Sequence, residues 1–227
     1  MQSSDAHPLA ISRLTPMRLP DILGASVHED THEHGMTAER RIMDPTLRRE
    51  LQDVLLRDSL KFGDFTLTSG RKSDYYLDCR LTTLRPRGAF LVAKLLLDEL
   101  KSLRVDAIGG PTIAADPVIG ALMPLASLEG IPLVGFLVRK EAKGHGMQRS
   151  VEGPLEPGMR VALFDDVATT GGSLKHAIDE VEASRCTVVN TYVIVDRQEG
   201  AQENFVHWGY PFHPFFTIAE LRAAHHP

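Results

Sequence analysis

The stretch from Val161 to Ile178 brings together an apolar segment, paired carboxylates, a hydroxyl- and glycine-containing loop and the start of a helix. Its sequence is V-A-L-F-D-D-V-A-T-T-G-G-S-L-K-H-A-I. Residues 159–164 are short and largely apolar, which is typical of a buried strand in a parallel sheet, and Asp165 and Asp166 follow. Ligands of such sheets bind beyond the carboxyl ends of the strands, so we expect these carboxylates to accept hydrogen bonds from sugar hydroxyls.

The loop after the paired acids has the chemistry of a phosphate site. Its glycines allow tight backbone geometry, its hydroxyls donate hydrogen bonds, and its N–H groups converge where the apolar spacing of residues 174–181 predicts a helix. Neither the P-loop pattern nor the dinucleotide fingerprint is present. The alternative is an ordinary strand-to-helix turn capped by Asp or Ser. The predicted ribose-phosphate residues are Asp165, Asp166, Ala168, Thr169, Thr170, Gly171, Gly172 and Ser173.

This segment resembles the ribose-phosphate signature of type I phosphoribosyltransferases, which use 5-phosphoribosyl-1-pyrophosphate (PRPP) as donor. Two further segments, 65–78 and 138–146, resemble the amino-terminal signature and the catalytic loop of the orotate phosphoribosyltransferase family. Weaker similarities are Gly109–Pro117, to the pyrophosphate loop, and Val195–Arg197, to the strand end that contacts the base. The resemblance runs from about Asp44 to the C-terminus, where 215–221, F-F-T-I-A-E-L, is similar to the usual family ending.

The resemblance implies an α/β fold with a central, mainly parallel sheet flanked by helices and a small hood subdomain. The phosphoribosyltransferase domain would span residues 44–227, with a hood formed mainly by residues 44–80 and the C-terminal segment. Residues 1–43 would be an extension, since they lack sustained periodicity and an apolar run long enough for a signal peptide. Within the extension, the acidic and histidine cluster of residues 28–34 could bind a metal, but a solvated polar segment is the simpler interpretation.

The sequence pattern independently predicts alternating helices and strands. Asp44-Pro45 and Pro86 are typical helix starts, and residues 62–78 predict a small antiparallel pair. Strands alternating with helices predict βαβ units in a parallel sheet. The predicted strands are Val105–Ile108, Ile131–Val138, Met159–Phe164 and Thr187–Val195.

The resemblance assigns the catalytic role to four residues of the loop at 138–146. They would stabilise the departing pyrophosphate in the active site of a neighbouring subunit, which makes a homodimer the expected assembly. The alternative is a solvated charged loop between two strands. The four residues are Arg139, Lys140, Lys143 and His145.

For the acceptor base, the resemblance implies orotate, held by Arg197, Thr169, Ser69 and Tyr75. A planar guanidinium suits a carboxylate or a carbonyl-amide edge. Mg²⁺ would accompany the donor, with few protein ligands because this ion keeps several waters. Asp165 and Asp166 are the candidates to hold it. Asp116 is either another candidate or a helix cap before Pro117.

Two positions depart from the family pattern. Thr68 stands where familiar bacterial and fungal members have a lysine, and residues 109–116 lack the lysine that many members place there. Transfer to a purine, uracil or a related base is therefore an alternative to orotate. A non-catalytic sensor of PRPP is a second alternative, since phosphoribosyltransferase folds can be reused for binding.

Composition limits the remaining possibilities. The 227 residues are 43% hydrophobic and 24% charged, enough for one globular domain with a substantial core. A formal net charge of -5 argues against a general nucleic-acid-binding surface, and the sequence pattern predicts no membrane span. Two cysteines, Cys79 and Cys186, cannot form a disulfide framework and lack metal-ligand spacing, so we interpret both as structural and expect a reducing cytoplasm.

Overall fold

The computed structural model describes residues 43–66, 70, 72–140 and 150–225. Apart from Met43, the predicted extension, residues 1–43, lies outside these ranges, and its boundary stays a prediction. Among the described residues, no helix combines the length and apolar character needed to cross a membrane.

The first helix, α1 (Pro45–Val54), begins as the sequence predicts. The Asp44 carboxylate accepts hydrogen bonds from the backbone N–H of Thr46 at 2.8 Å and of Leu47 at 3.2 Å, and proline occupies the first turn. A π-helical turn over Leu55–Ser59 continues the helix and leads directly into the first strand.

Strands β1 (Leu60–Thr66) and β2 (Lys72–Leu77) form the predicted small antiparallel pair as a separate two-stranded sheet. Phe62 lies opposite Tyr75 in this pair. A short helix α2 (Arg80–Thr83) follows, and helix α3 (Pro86–Leu100) begins at the predicted proline.

The main sheet has six strands, of which five are mutually parallel. Its strand order is β5-β4-β3-β6-β7-β8, and β5 is antiparallel to β4. This arrangement confirms the predicted α/β class with a mainly parallel sheet. The strands are β3 (Ala107–Pro111), β4 (Val134–Val138), β5 (Val151–Glu152), β6 (Arg160–Ala168), β7 (Thr187–Asp196) and β8 (Phe212–Thr217).

Helices cover both faces of this sheet. They include α3, already described, and α4 (Asp116–Leu128), α5 (Gly172–Ala183), α6 (Ala201–Trp208) and α7 (Ile218–His225). Side chains of β6 alternate between the two faces: Val161 and Leu163 pack in one core with residues of α5 and α6, whereas Ala162 and Phe164 pack in the other with residues of α3 and α4. Strand β6 is therefore buried on both sides, which explains its apolar run.

Several strand bounds and one capping residue differ from the sequence predictions. Strand β3 begins at Ala107 rather than Val105 and continues to Pro111, and β4 begins at Val134 rather than Ile131. Strand β6 continues beyond Phe164 to Ala168, because Asp165 and Ala168 pair in parallel register with Val193 and Asp196 of β7. The paired acids are thus part of the strand rather than of the loop after it. The capping alternative for Asp116 is also wrong: Ala115 is the N-cap of α4, with no side-chain cap, and Asp116 is the first helical residue.

Gly110 allows the backbone of β3 to approach β6 closely. A Cβ atom at this position would lie 1.9 Å from the carbonyl oxygen of Phe164, a distance that real Cβ atoms essentially never show. The neighbour is the backbone of Phe164, a fully buried residue in β6, so it cannot move aside without disturbing the sheet. The absence of a side chain at Gly110 thereby allows β3 to pack closely against β6, the strand that carries the paired acids.

We expect Gly110→Ala to destabilise the fold by about 1–3 kcal/mol, as overpacking of a core does. Urea unfolding followed by circular dichroism measures this difference. Gly120→Ala is the matched control, because it lies on an exposed position of α4 with no atom within 4 Å of the added Cβ. This control should gain up to about 1 kcal/mol through helix propensity. Equal stability of Gly110→Ala and the unaltered protein would contradict the close-approach argument.

Candidate active site

Three neighbouring cavities lie at the carboxyl ends of β3, β6 and β7. The central cleft has a volume of about 350 Å³. Asp165, Thr169 and Ser173 line both this cleft and a smaller cavity of about 210 Å³ at the start of α5. Arg197 lines both the central cleft and a cavity of about 740 Å³ under the β1–β2 pair. The three cavities therefore adjoin one another through these shared residues.

Asp165 and Asp166 form the wall of the central cleft contributed by β6. Asp165 is only 6% exposed, and its Oδ1 accepts a hydrogen bond from the N–H of Asp166 at 2.9 Å. Burial, reinforced by the neighbouring charge of Asp166, raises the pKa of Asp165 to about 8. Burial also raises the pKa of Asp166. Both carboxyl groups line the central cleft, where a ligand that donates hydrogen bonds could reach them.

The smaller cavity is built by the predicted phosphate loop. Gly171 is the N-cap of α5 in a left-handed conformation, with φ of 80°, and a Cβ there would meet the ring of Phe205 at 2.6 Å. Asn204 donates a hydrogen bond from Nδ2 to the carbonyl oxygen of Thr170 at 2.9 Å. Helix α6 therefore supports the loop from behind, an interaction that the local sequence pattern did not predict. The loop residues that line the cavity are Ala168, Thr169, Thr170, Gly171, Gly172 and Ser173.

The largest cavity lies between the β1–β2 pair and the end of β7. Arg197 donates a hydrogen bond from Nε to the Tyr75 hydroxyl at 2.8 Å, and its Cζ lies 5.0 Å from the centre of the Tyr75 ring. Arg197 also forms an ion pair with Glu199, with 3.1 Å between Nε and Oε1. Lys72 also lines the cavity and donates to Thr66 Oγ1 at 2.9 Å. The structure thus brings together two of the residues predicted to bind the base, Arg197 and Tyr75.

From the sequence we expect the C-terminal segment to belong to the hood, but the sequence pattern does not reveal the contact of Arg222 with Tyr75. Arg222 of α7 places its Cζ 5.0 Å from the centre of the Tyr75 ring and forms two hydrogen bonds of 2.6 Å with the Asp74 carboxylate. Tyr75 is therefore contacted by two guanidinium groups, one from Arg197 just after β7 and one from α7. The residues involved are far apart in the sequence, so no local motif reveals the arrangement.

The structure describes only part of the predicted catalytic loop. Lys140 lines the central cleft, whereas the Arg139 side chain pairs with Glu152 of β5, with 3.0 Å between Nε and Oε1. The carbonyl oxygen of Arg139 lies 2.9 Å from His176 Nε2 on α5. Lys143 and His145, and the predicted base-binding Ser69, lie outside the described residues.

The candidates for holding Mg²⁺ differ in position. Asp165 and Asp166 face the central cleft, whereas Asp116 is not among the residues that line it. Asp116 Oδ1 is buried without a hydrogen-bond partner among the described residues, and burial raises the pKa of its carboxyl group. Within the same part of the chain, no group of three or more acidic, histidine or cysteine side chains is arranged to hold a metal ion. The paired carboxylates still fit an ion that is held mainly by a substrate and by water.

Comparison with known families decides the class of protein. The phosphoribosyl transferase domain family matches residues 86–208. An orotate phosphoribosyltransferase of Thermosynechococcus vestitus is 43% identical over 178 residues, which cover 78% of this chain and 94% of the relative. One of Aquifex aeolicus is 39% identical over 177 residues, covering 77% and 97%. This chain belongs to the orotate phosphoribosyltransferase family.

Solved structures agree with the family. The orotate phosphoribosyltransferase of Mycobacterium tuberculosis H37Rv, in complex with Fe(III) dicitrate, superposes with a TM-score of 0.68 at 37% identity and covers 77% of this chain and 98% of that chain. The same enzyme in complex with PRPP gives a TM-score of 0.65 at 31% identity, covering 78% and 99%. The type I phosphoribosyltransferase fold predicted from the resemblance is thereby confirmed.

Because the pKa of Asp165 is raised in the folded protein, we expect the protein to become less stable as pH rises. Between the ordinary carboxyl pKa and about 8, the folded protein keeps a proton that the unfolded chain releases, so the free energy of unfolding falls as pH rises. Asp165→Asn removes this titration. We therefore expect the stability of the variant relative to the unaltered enzyme to increase from pH 5 to pH 8 by about 2–4 kcal/mol.

Urea unfolding at the two pH values measures this gain. Asp74→Asn is the control, because the hydrogen bonds from Arg222 lower the pKa of Asp74 and the pair is already fully formed at pH 5. Its stability relative to the unaltered enzyme should not increase between pH 5 and pH 8. A pH-independent difference for Asp165→Asn would contradict the burial argument.

Proposed function

We propose that this enzyme transfers the phosphoribosyl group from PRPP to orotate, forming orotidine 5'-monophosphate and pyrophosphate in pyrimidine biosynthesis, and that the three contiguous cavities hold the donor and the base. The observation that carries the proposal is the position of Asp165 and Asp166 between a phosphate-sized loop cavity and a pocket containing Arg197. The printed names of the relatives agree with this activity.

The donor would lie across the two smaller cavities. The loop at Thr169–Ser173 would bind the 5'-phosphate through backbone N–H groups and hydroxyls at the start of α5, where the helix dipole favours an anion. Asp165 and Asp166 would then accept hydrogen bonds from the ribose hydroxyls in the central cleft. Held in this way, the anomeric carbon faces the pocket that contains Arg197.

The acceptor would enter the pocket under the β1–β2 pair. Arg197 presents a guanidinium group to this pocket, and Lys72 adds a second positive charge. Both suit the carboxylate of orotate, and Lys72 would supply a charge that Thr68 cannot. Tyr75 orients Arg197 through the 2.8 Å hydrogen bond. Thr169 lines the central cleft, where the donor would bind. Ser69 remains a proposed contact on the basis of the family resemblance.

The reaction requires little covalent chemistry from the protein. The bond between the anomeric carbon and the pyrophosphate oxygen breaks, a ring nitrogen of orotate bonds to the same carbon, and that nitrogen releases its proton. Positive charge develops on the sugar and negative charge on the leaving group. Lys140, together with Lys143 and Arg139, would stabilise the leaving group, and His145 would donate a proton to it.

Mg²⁺ fits this arrangement as a companion of the donor. When bound, it supplies charge neutralisation for the pyrophosphate and a fixed geometry for its oxygens. Asp165 and Asp166 would hold it, directly or through water, because their adjacent carboxyl groups line the central cleft. We also propose that the enzyme acts in the cytoplasm.

A spectrophotometric assay with orotate, PRPP and Mg²⁺ tests the activity through the loss of orotate absorbance. We expect turnover by the unaltered enzyme and at least about a hundredfold loss in Lys143→Ala, since one group that stabilises transition-state charge is removed. Lys61→Ala is the control, because Lys61 is exposed on β1 and lines none of the three cavities. Consumption of uracil, adenine or hypoxanthine instead of orotate would favour another acceptor. Donor binding without any turnover would favour the sensor.

Sharing of the catalytic loop across a homodimer can be tested by complementation. Lys143→Ala and Asp166→Asn should each be inactive alone, whereas an equal mixture that is unfolded and refolded together should regain about a quarter of the unaltered activity. Half of the dimers would be mixed, and each mixed dimer would contain one intact site. Activity that stays at the level of the separate variants would contradict a shared loop.

A further inference from the structure

Arg80 lies beside the central cleft at the start of α2 and has no role in the site described so far. Its guanidinium group forms a two-point pair with Asp78, with 2.8 Å between Nε and Oδ1 and 2.9 Å between Nη2 and Oδ2. The Arg80 side chain is 51% exposed and the Asp78 side chain is 16% exposed. Since a guanidinium has five N–H donors, this pair occupies two of them and fixes the orientation of the others.

The position of Arg80 in the cleft follows from the walls that the cavities share. The phosphate loop bounds one end, and Arg197 opens the other end towards the base pocket. The remaining wall is formed by residues 77–80, by residues 111–114 and by Lys140. A donor with its phosphate on the loop and its anomeric carbon towards Arg197 must direct its pyrophosphate to this wall.

Binding of a pyrophosphate group at this wall requires positively charged side chains. Asp78, Asp165 and Asp166 also line the cleft, and residues 111–114, Pro-Thr-Ile-Ala, carry no charge. Among the described residues that line the cleft, the cations are Arg80, Lys140 and Arg197, and Arg197 is held in the base pocket by Tyr75 and Glu199. Arg80 and Lys140 therefore remain to face an incoming pyrophosphate.

The chemistry of the Arg80 side chain supports this placement, since Arg80 lines the same cleft as Asp165 and Asp166. A planar guanidinium can also form two parallel hydrogen bonds to phosphate oxygens, which an ammonium cannot do.

We propose that Arg80, oriented by Asp78, binds the pyrophosphate group of the donor and thereby supplies a positive charge that the loop at residues 109–116 lacks. The inference rests on the proposed function for the direction in which the donor lies. Asp78 then acts as a positioning residue, because its carboxylate holds Nε and Nη2 and leaves the remaining N–H donors for the ligand.

Binding of inorganic pyrophosphate to the full chain, in the presence of Mg²⁺, tests the inference by isothermal titration calorimetry. We expect Arg80→Gln, which keeps much of the side-chain length but removes the charge, to weaken binding by about 10- to 100-fold. Arg80→Lys should give an intermediate loss, since it restores the charge without the planar fork. In steady-state assays, the KM for PRPP should rise in Arg80→Gln while the KM for orotate stays within about twofold.

Arg57→Gln is a matched control. Arg57 pairs with the adjacent Asp58 in the same two-point geometry, at 2.9 and 3.0 Å, but lies outside the cleft. The Arg57→Gln variant should bind pyrophosphate with the affinity of the unaltered enzyme. The inference is overturned if folded Arg80→Gln binds pyrophosphate within twofold of the unaltered enzyme, or if the unaltered enzyme does not bind it. Pyrophosphate binding needs no acceptor, so a failure of the orotate assay leaves this result interpretable.

Discussion

Burial of two adjacent carboxyl groups at the end of β6 is the constraint on which the rest of the site depends. Asp165 is almost fully buried, and Asp166 is removed from water to a lesser extent. Such burial disfavours their charged forms, which is why the pKa values of both groups rise. The fold tolerates this cost because five parallel strands and the helices on both faces fix β6 in the centre of the sheet. Active sites often lower the stability of a fold in this way, because selection acts on activity.

The neighbours of β6 determine what this carboxylate pair can do. On one side, Gly110 lets β3 approach closely, and the wall at residues 111–114 faces the cleft. On the other side, β7 ends at Asp196 and presents Arg197 to the base pocket. The loop after β6 turns through Gly171 into α5. In the proposed chemistry, β6 and the loop after it would hold the sugar and the phosphate, and the end of β7 would contribute Arg197 to the base pocket.

The sequence predicted those parts of the site that lie close together in the chain. Residues 165–173 combine acids, hydroxyls and glycines in an order that few structures other than a sugar-phosphate site require, and the structure places them around two joined cavities. Local patterns could not predict contacts between distant segments. Arg222 reaches Tyr75 across the two-stranded sheet, Phe205 supports Gly171 from α6, and Glu152 pairs with Arg139. These contacts are products of the assembled fold.

The same distinction explains why strand ends were less well predicted than strand positions. The sequence predicted that β6 stops at Phe164, because charged residues usually end a buried strand. The ladder with β7 instead extends to Ala168, since backbone pairing continues regardless of the side chains. Asp165 is buried as a result, whereas a loop position would have exposed it to water.

The account depends most directly on contact between the paired carboxylates and the donor. Calorimetric titration of PRPP with Mg²⁺ into the unaltered enzyme and into an Asp165→Asn/Asp166→Asn double variant measures this contact. The two substitutions keep the size of the side chains and replace one carboxyl oxygen of each with an amide NH2 group. We expect the double variant to bind PRPP at least about tenfold more weakly, through loss of oxygen acceptors for the ribose hydroxyls. Equal or tighter binding by the folded double variant would show that the carboxylates do not hold the sugar, and would contradict the account.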